Sequence, residues 1–373
     1  MPGLFIQRQA EALAKKHTIR VISVHRDPAL TVTYELVNTV ENAVNVCRVY
    51  YRPGFRFPFI SKLFNIIRYI KAHHLAYTNL MPVKVDIVHG HILTREIFFT
   101  WYMAGKQQCP YVISEHWSRY FPENGTYKGL VRRWLTRYLL TRSGALITVS
   151  ESLAEAMRNA GLEHPKTFIV PNVIDTSIFV PDALKPNSQK AVVLHVSCFE
   201  DRSKNISGFL DAVAELYKRG KDFLVLLAGD GPDHQAMRAY ARTLGLDDEH
   251  VKFTGLRQNS ELIRLYQTSS FLVQTSRYET FGTVLIEALA CGLPLVSTNT
   301  GIASAIISDK NGILIQQPAV YEIVRAVEKM LDNYPNFDPK EMHESVVRKY
   351  SEDFISEKFT DIYHEIINTW QKD

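Results

Sequence analysis

The residues with the clearest chemical potential lie in Ser276-Arg-Tyr-Glu-Thr-Phe-Gly-Thr-Val-Leu-Ile-Glu-Ala-Leu-Ala-Cys-Gly-Leu-Pro294. The apolar run Phe271-Leu-Val-Gln-Thr275 reads as a buried strand and Thr283 to Cys291 as a buried helix, with Glu279 and Gly282 in the polar loop between them. Glycine has no Cβ to keep a bulky anion off the backbone, and the first free N–H groups of the helix point into that space. A helix start of this kind favours a phosphate. Glu287 falls about one turn into the helix, on its apolar stretch, where an unpaired charge is costly. Hydroxyls of a ribose or a sugar would satisfy it. So would a neighbouring side chain in an ordinary βα unit, and spacing alone leaves both readings open.

Two further stretches follow predicted strands in the same way. Cys198-Phe-Glu-Asp-Arg-Ser-Lys-Asn205 puts Arg202 and Lys204 at the start of a helix, two cations suited to a diphosphate. Ala228-Gly-Asp-Gly-Pro232 is a tight turn whose Gly231 lets a ligand approach the backbone. In the first half, His91 ends the strand that starts at Val85, and Glu115-His116-Trp117 lies just past Tyr111-Val-Ile-Ser114. Open α/β sheets bind ligands outside the carboxyl ends of their strands, so His91 and His116 are candidates too. They do not read as metal ligands, because no third ligand follows at a telling distance. The chain has no G-x-G-x-x-G and no Walker lysine loop, which counts against NAD binding and ATP hydrolysis.

The elements that must position these residues alternate regularly. Strands are expected at 191–197, 223–228, 251–254, 271–275, 294–298 and 312–315, with helices at 205–219, 233–244, 259–268, 283–291 and 301–307 between them. This is the pattern of a doubly wound parallel sheet. Helices at 320–333 and 340–349 follow, and a last one at 352–370 turns Phe354, Phe359, Ile362, Tyr363, Ile366 and Trp370 inward. The first half opens on a helix over 4–16, then strands at 19–24, 32–37 and 44–51. After the loop Arg52-Pro-Gly-Phe-Arg-Phe-Pro-Phe59 comes an amphipathic helix with Ile60, Leu63, Phe64, Ile67 and Ile70 expected inward. A basic helix over 127–142 carries Leu130, Trp134 and Tyr138 on one face. At 373 residues the chain is too long for one ordinary core. The expected division is an N-terminal domain at 1–182, a C-terminal domain at 183–351, and a closing helix at 352–373.

Composition is that of a soluble globular protein, 46% hydrophobic and 22% charged. Cys47, Cys109, Cys198 and Cys291 are scattered without any C-x-x-C pair, which argues for a reducing compartment and against a zinc site. With no membrane-length apolar run and no signal-peptide pattern, the expectation is a cytoplasmic protein. The net charge of +4 divides unevenly. Residues 1–180 carry 22 Lys/Arg against 12 Asp/Glu (+10), and the remainder 21 against 27 (−6). Residues 42–85 contain no acid but carry Arg48, Arg52, Arg56, Lys62, Arg68, Lys71 and Lys84 among aromatics. Such a half suits an anionic membrane surface rather than nucleic acid, so the protein is expected to sit peripherally on the inner face of a membrane. A solvated face with its aromatics in the core is the other reading.

Together these stretches resemble glycosyltransferase family 4, the retaining group 1 type with GT-B architecture: two Rossmann-like domains facing across a cleft. The resemblance runs through nearly the whole chain. Its most specific part is Glu279-(x7)-Glu287, supported by Gly229-Asp-Gly-Pro232, Phe253-Thr-Gly255, and Pro171-Asn-Val-Ile-Asp175 with Phe179. It implies that Glu287 holds the ribose of a nucleotide sugar and Glu279 the donor sugar. The amides around Phe281, Gly282 and Thr283 would hold the diphosphate with Lys204, and His116 would lie near the transferred sugar. Gly255 and Leu256 would sit by the base, His91 on the acceptor side, and Gly3 in the glycine-containing loop that precedes the first helix. The partners implied are a UDP- or GDP-sugar and a hydroxyl of a glycan or lipid-linked acceptor in cell-surface polysaccharide or glycolipid synthesis, with no cofactor and no metal. Consistent with that, the chain has no Asp-x-Asp.

Three departures stand out. Cys198 occupies the place of the family's usual arginine, for which Arg202 is a candidate substitute. The family's Gly-Gly reads Gly301-Ile302. The family's first strand is missing before Gly3, which predicts unpaired edges in mid-sheet and a truncated or mis-started chain. Two other readings share the architecture: a nucleotide-sugar epimerase, which uses no acceptor, and a sugar-binding protein that has lost activity.

Overall fold

The computed structural model describes residues 3–54, 58–80, 83–182 and 190–371, with 58–63 described by backbone alone. The first half contains α1 (Leu4–Ala14), β1 (Arg20–Arg26), β2 (Tyr34–Glu41), β3 (Val44–Tyr51), α2 (Pro58–Leu80), β4 (Val88–His91) and α3 (Arg95–Gln107). It continues with β5 (Tyr111–Glu115), α4 (Leu130–Thr141), β6 (Ala145–Thr148), α5 (Glu151–Asn159) and β7 (Thr167–Ile169). The second half runs β8 (Ala191–Val196), α6 (Asp201–Lys204), α7 (Ile206–Lys218), β9 (Phe223–Ala228), α8 (His234–Thr243), β10 (Val251–Gly255) and α9 (Ser260–Thr268). Then come β11 (Phe271–Gln274), α10 (Thr283–Ala290), β12 (Leu295–Thr298), α11 (Ala303–Ile306), β13 (Gly312–Ile315), α12 (Val320–Asn333), α13 (Pro339–Tyr350) and α14 (Glu352–Trp370).

The strands after residue 190 form one parallel six-stranded sheet in the order β10-β9-β8-β11-β12-β13. Its strands are short, apolar and mostly buried, as strands covered on both faces must be. The earlier strands divide into two sheets. β4-β5-β6-β7 is parallel, while β1-β3-β2 joins a parallel pair to an antiparallel hairpin. Asn42 and Ala43 make the hairpin turn with φ of 46° and 66°, the left-handed pair whose twist matches the flanking strands. Among the described residues, β1 and β4 each lie at the edge of their sheet, bonded to one neighbour. The described strands of the first half thus form two sheets.

α14 lays Ile355, Phe359, Ile362, Tyr363 and Ile366 against Val112, Ala145 and Ile147 of the first half and against Ala12 and Leu13 of α1. The closing helix therefore packs on β5, β6 and α1. Trp370, expected inward, is 51% exposed in the helix's final turn. The helix after the Arg52 loop also needs correction. Phe64, Ile67 and Ile70 were expected inward and are exposed. α2 instead buries Tyr69, Ala72 and Ala76 against Cys47, Val49 and Tyr51 of β3. Small residues let the helix sit close to the sheet, and that seat rotates the isoleucine stripe outward. Phe55, Arg56 and Phe57, and the side chains of Ile60 and Leu63, lie outside the described residues. Among those described, no helix is long and apolar enough to cross a membrane.

Candidate active site

The six-stranded sheet reverses its order between β8 and β11, the switch point at which open α/β sheets bind ligands. The loops leaving those two strands carry Lys204 and Glu279. Lys204 Nζ donates to Glu279 Oε1 at 2.5 Å, and the same oxygen accepts from Ser276 Oγ at 2.8 Å and Gln274 Nε2 at 2.9 Å. Burial works against the charge of Lys204, but Glu279 first and Cys198 and Glu200 beside it together hold the lysine pKa above its ordinary value. α6 is one short turn, so Lys204 stands at its end, just before α7, and not at a helix start. Arg277 fixes that turn by donating to the Asp201 carbonyl at 2.6 Å and to Asn205 Oδ1 at 2.5 Å. Gly231 closes in behind it: a Cβ there would lie 1.9 Å from the Cys198 carbonyl oxygen, so only glycine fits.

Lys204 and Glu279 line a cleft of about 660 Å³ with His116. Cys198, Glu200, Ser203 and Tyr278 line it from the second half; Trp117, Arg119, Asn124 and Arg132 line it from the first. Cys198 is an exposed free thiol. Arg202 does not line this cleft. Its guanidinium donates to the backbone oxygens of Glu123 at 2.5 Å and Asn124 at 3.2 Å, tying the two halves together. Ser150 Oγ adds a tie to the Thr280 carbonyl at 2.5 Å, and Ser152 Oγ another to that of Gly301 at 3.1 Å.

His116 arrives at the cleft from the end of β5. The buried Glu115 organises this corner, accepting from the backbone N–H groups of Leu93 (2.8 Å), His116 (2.8 Å) and Trp117 (2.9 Å) and from the Tyr120 hydroxyl (2.9 Å). Burial raises the Glu115 pKa despite these donors. His91 Nδ1 lies 3.4 Å from His116 Nε2, and His89 stacks on His91 at 4.3 Å. His89 is anchored by Tyr363 and Ser114 at 2.7 Å each. Burial pushes His91 down to about 4 and His116 well below the usual histidine range, so both are neutral at pH 7. His116 Nδ1 is buried and finds no partner among the described residues. The structure thus brings His91 and His116 together.

Glu287 has protein partners from two directions. The Tyr266 hydroxyl of α9 donates to its Oε2 at 3.0 Å, and Arg8 of α1 reaches its Oε1 at 3.8 Å. Burial lifts its pKa to about 7 against the opposing effects of both partners. Sequence spacing left open whether hydroxyls of a ligand or a neighbouring side chain would meet this carboxylate. Protein groups meet it here, one of them an arginine from the far half, 21% exposed at its side chain. Gly282 caps α10 at φ 92°, a left-handed conformation suited to glycine, with Phe281 buried before it and Thr283 opening the helix. Gly255 has φ 72° and open space where a Cβ would stand, and Leu256 beside it is 61% exposed. None of these lines the 660 Å³ cleft. Gly3 caps α1 at φ 91°, two residues before Phe5, whose ring lies 4.4 Å from that of His116.

Sequence spacing does not single out Glu115, Tyr266, Arg8 or the cleft arginines for these roles. Glu115 stands beside a residue that it does single out; the others meet their partners only through tertiary packing. Among the described residues no group of three or more His, Cys, Asp or Glu side chains could hold a metal ion.

Two family models match the chain in succession: "Glycosyltransferase Family 4" over residues 3–178 and "Glycosyl transferases group 1" over residues 179–349. The chain is 24% identical to a phosphatidylinositol N-acetylglucosaminyltransferase component of Arabidopsis thaliana, covering 91% of this chain and 74% of that protein. It is also 24% identical to the alpha-D-kanosaminyltransferase of Streptomyces kanamyceticus, over 72% and 74%. Among solved structures, sucrose-phosphate synthase from Thermosynechococcus elongatus superposes with a TM-score of 0.80 at 17% identity, over 99% of this chain and 94% of that one. Anabaena HepE in complex with UDP and glucose superposes with a TM-score of 0.69 at 18% identity, over 86% of each chain. The fold is GT-B, and the chain belongs to the family 4, group 1 glycosyltransferases.

Proposed function

We propose that the protein is a retaining glycosyltransferase that moves a sugar from a UDP- or GDP-sugar to a hydroxyl of a glycan or lipid-linked acceptor without a metal ion. The observation that carries this reading is the meeting of Lys204, Glu279 and His116 in one cleft at the switch point of the sheet. As the sugar leaves, its C1–O bond to the diphosphate breaks and the electron pair stays on the phosphate oxygen. Lys204 and the first N–H groups of α10 meet that growing charge. The acceptor oxygen bonds to C1 on the same face, and its proton passes to the departing phosphate oxygen. Glu279 binds hydroxyls of the donor sugar, and the neutral His116 offers a hydrogen bond without adding charge. The ribose hydroxyls take Glu287 in exchange for Arg8. The UDP and glucose held by HepE, a protein of the same fold, support a nucleotide-sugar donor here.

The test is a thermal-shift screen of nucleotide sugars followed by transfer assays. A ligand at about 100 times its Kd should add about 2.7 kcal/mol of stability. If no nucleotide sugar shifts the transition, the donor assignment fails. If a donor incubated alone is inverted at C2, the protein is an epimerase.

We also place the protein peripherally at an anionic membrane on the cytoplasmic side. Phe98, Trp101, Tyr138 and Trp134 form a ring-to-ring ladder across α3 and α4, with neighbouring centroids 5.4, 6.3 and 5.5 Å apart. It adjoins the exposed Leu130 and Val131 and is flanked by Lys106, Arg133, Arg137 and Arg142. An apolar ridge rimmed by cations suits an anionic bilayer. Vesicles of phosphatidylcholine with phosphatidylglycerol should bind the protein, less tightly as salt rises. Binding that is absent, or indifferent to salt, would remove this placement.

A further inference from the structure

The cleft has two walls of different electrical character. On the wall from the second half, each charged group is engaged: Lys204 with Glu279, and Glu200 as acceptor of the Ser203 hydroxyl at 2.6 Å. The wall from the first half presents Arg119 and Arg132. Neither makes an ion pair with a carboxylate among the described residues. Arg119 lies over the indole of Trp117 at 3.9 Å, a contact that fixes its plane and leaves its N–H edge available. Arg132 donates one N–H to the Thr126 carbonyl at 3.2 Å and keeps the rest of its fork.

Arg133 and Arg137 of α4, and Arg142 just past its end, make their contacts outside the cleft. Arg133 lies over Tyr127, Arg142 over Tyr138, and Arg137 donates to the Gly161 carbonyl. None of them lines the cleft. Arg119 and Arg132 are therefore distinguished by position, not by membership of a basic helix.

We infer that Arg119 and Arg132 form a phosphate-recognition subsite in the acceptor half of the cleft, so that the acceptor is an alcohol carrying a phosphate near its reacting hydroxyl. This rests on the transferase reading, which already assigns the donor diphosphate to Lys204 on the opposite wall and to the start of α10, outside this cleft. Two forked donors without a counter-ion, set in a concave wall, match the planar, bidentate recognition of a second anion. His116 lines the same cleft from the first half, the wall that carries both arginines.

The phosphate could be a lipid headgroup or a soluble polyol phosphate, and one experiment separates them. The full chain, with UDP present, is titrated calorimetrically with sn-glycerol 3-phosphate, with glycerol, and with vesicles of phosphatidylcholine with or without phosphatidylglycerol. Glycerol phosphate should bind and glycerol should not. Arg119→Gln and Arg132→Gln should each weaken glycerol phosphate binding about tenfold or more, while UDP affinity stays within about twofold. Arg158→Gln, on α5 outside both the cleft and the aromatic ridge, should leave both unchanged. Weaker binding of phosphatidylglycerol vesicles in the same two variants, on top of the ridge contact that both retain, assigns the phosphate to a lipid; unchanged vesicle binding with weakened glycerol phosphate binding assigns it to a soluble acceptor. Equal binding of glycerol, or equal weakening by Arg158→Gln, overturns the subsite. Failure of UDP to bind while glycerol phosphate binds overturns the donor reading and leaves the subsite standing.

Discussion

Replacing Lys204 by alanine is expected to lower kcat for sugar transfer by about 10²–10³-fold, the usual cost of removing one preorganised group from a site of developing negative charge. Lys204 is suited to that task because the fold charges it in advance. Burial alone would favour the neutral amine, and the carboxylate of Glu279 at 2.5 Å keeps the ammonium form. The surrounding turn is fixed by Arg277 and by Thr275, whose hydroxyl donates to the Lys204 carbonyl at 3.1 Å. Little reorganisation is then needed when charge appears on the leaving diphosphate.

The same substitution should also destabilise the fold, because Glu279 is left with only its neutral donors, Gln274 and Ser276. Removing one partner of a buried hydrogen-bonded pair costs about 1–3 kcal/mol. A second substitution separates chemistry from folding. Lys204→Ala combined with Glu279→Gln removes the stranded charge, so urea denaturation should recover most of the stability while transfer stays as low as in the single variant. Recovery of activity along with stability, or an unchanged kcat in Lys204→Ala, would show that Lys204 is a structural ion-pair member and no more.

What is legible in the sequence follows from which interactions are local. The alternation of apolar runs and helical faces places the strands of the second sheet within a residue or two, because each of those elements is buried on its own pattern. The loops after β8 and β11 are legible for the same reason: they follow short buried strands and carry polar residues that such junctions expose. α2 misleads because its sequence offers two apolar stripes. Packing of Ala72 and Ala76 onto β3 chooses the narrower one, a decision made by the surface of the sheet and not by the helix's own pattern. The partners of Glu287 are illegible for a related reason. Tyr266 and Arg8 lie on other helices, one of them in the opposite half, and nothing in their spacing announces the meeting. Arg202 shows the reverse limit: its neighbourhood to Lys204 in sequence suggests a shared anion, yet its side chain turns to the backbone of Glu123 and Asn124.

Glu287 is the residue at which stability and function should part company. Its pKa stands at about 7 in the folded protein against an ordinary 4.5, chiefly because burial penalises the charged form. Between those two values the folded protein holds a proton that the unfolded chain has released. Stability is therefore fully present below pH 4.5, falls as pH rises, and is lost as pH passes 7; the gap corresponds to about 3 kcal/mol. Arg8 and Tyr266 offset part of the burial penalty without abolishing it. Glu287→Gln keeps an acceptor for Tyr266 and cannot ionise, so it should flatten this slope and raise stability by about 1–3 kcal/mol at about pH 8. Nucleotide binding should move the other way. Ribose hydroxyls donate to the carboxylate and bind it best when ionised, so the affinity for UDP should rise through pH 7 in the native protein and lose that rise in Glu287→Gln. Opposite pH slopes for unfolding and for UDP binding, both abolished by one substitution, would identify a carboxylate kept at the expense of stability for a ligand. If the variant keeps both the affinity for UDP and its pH dependence, Glu287 serves only the contact with Arg8 and Tyr266, and the ribose must be held by other residues.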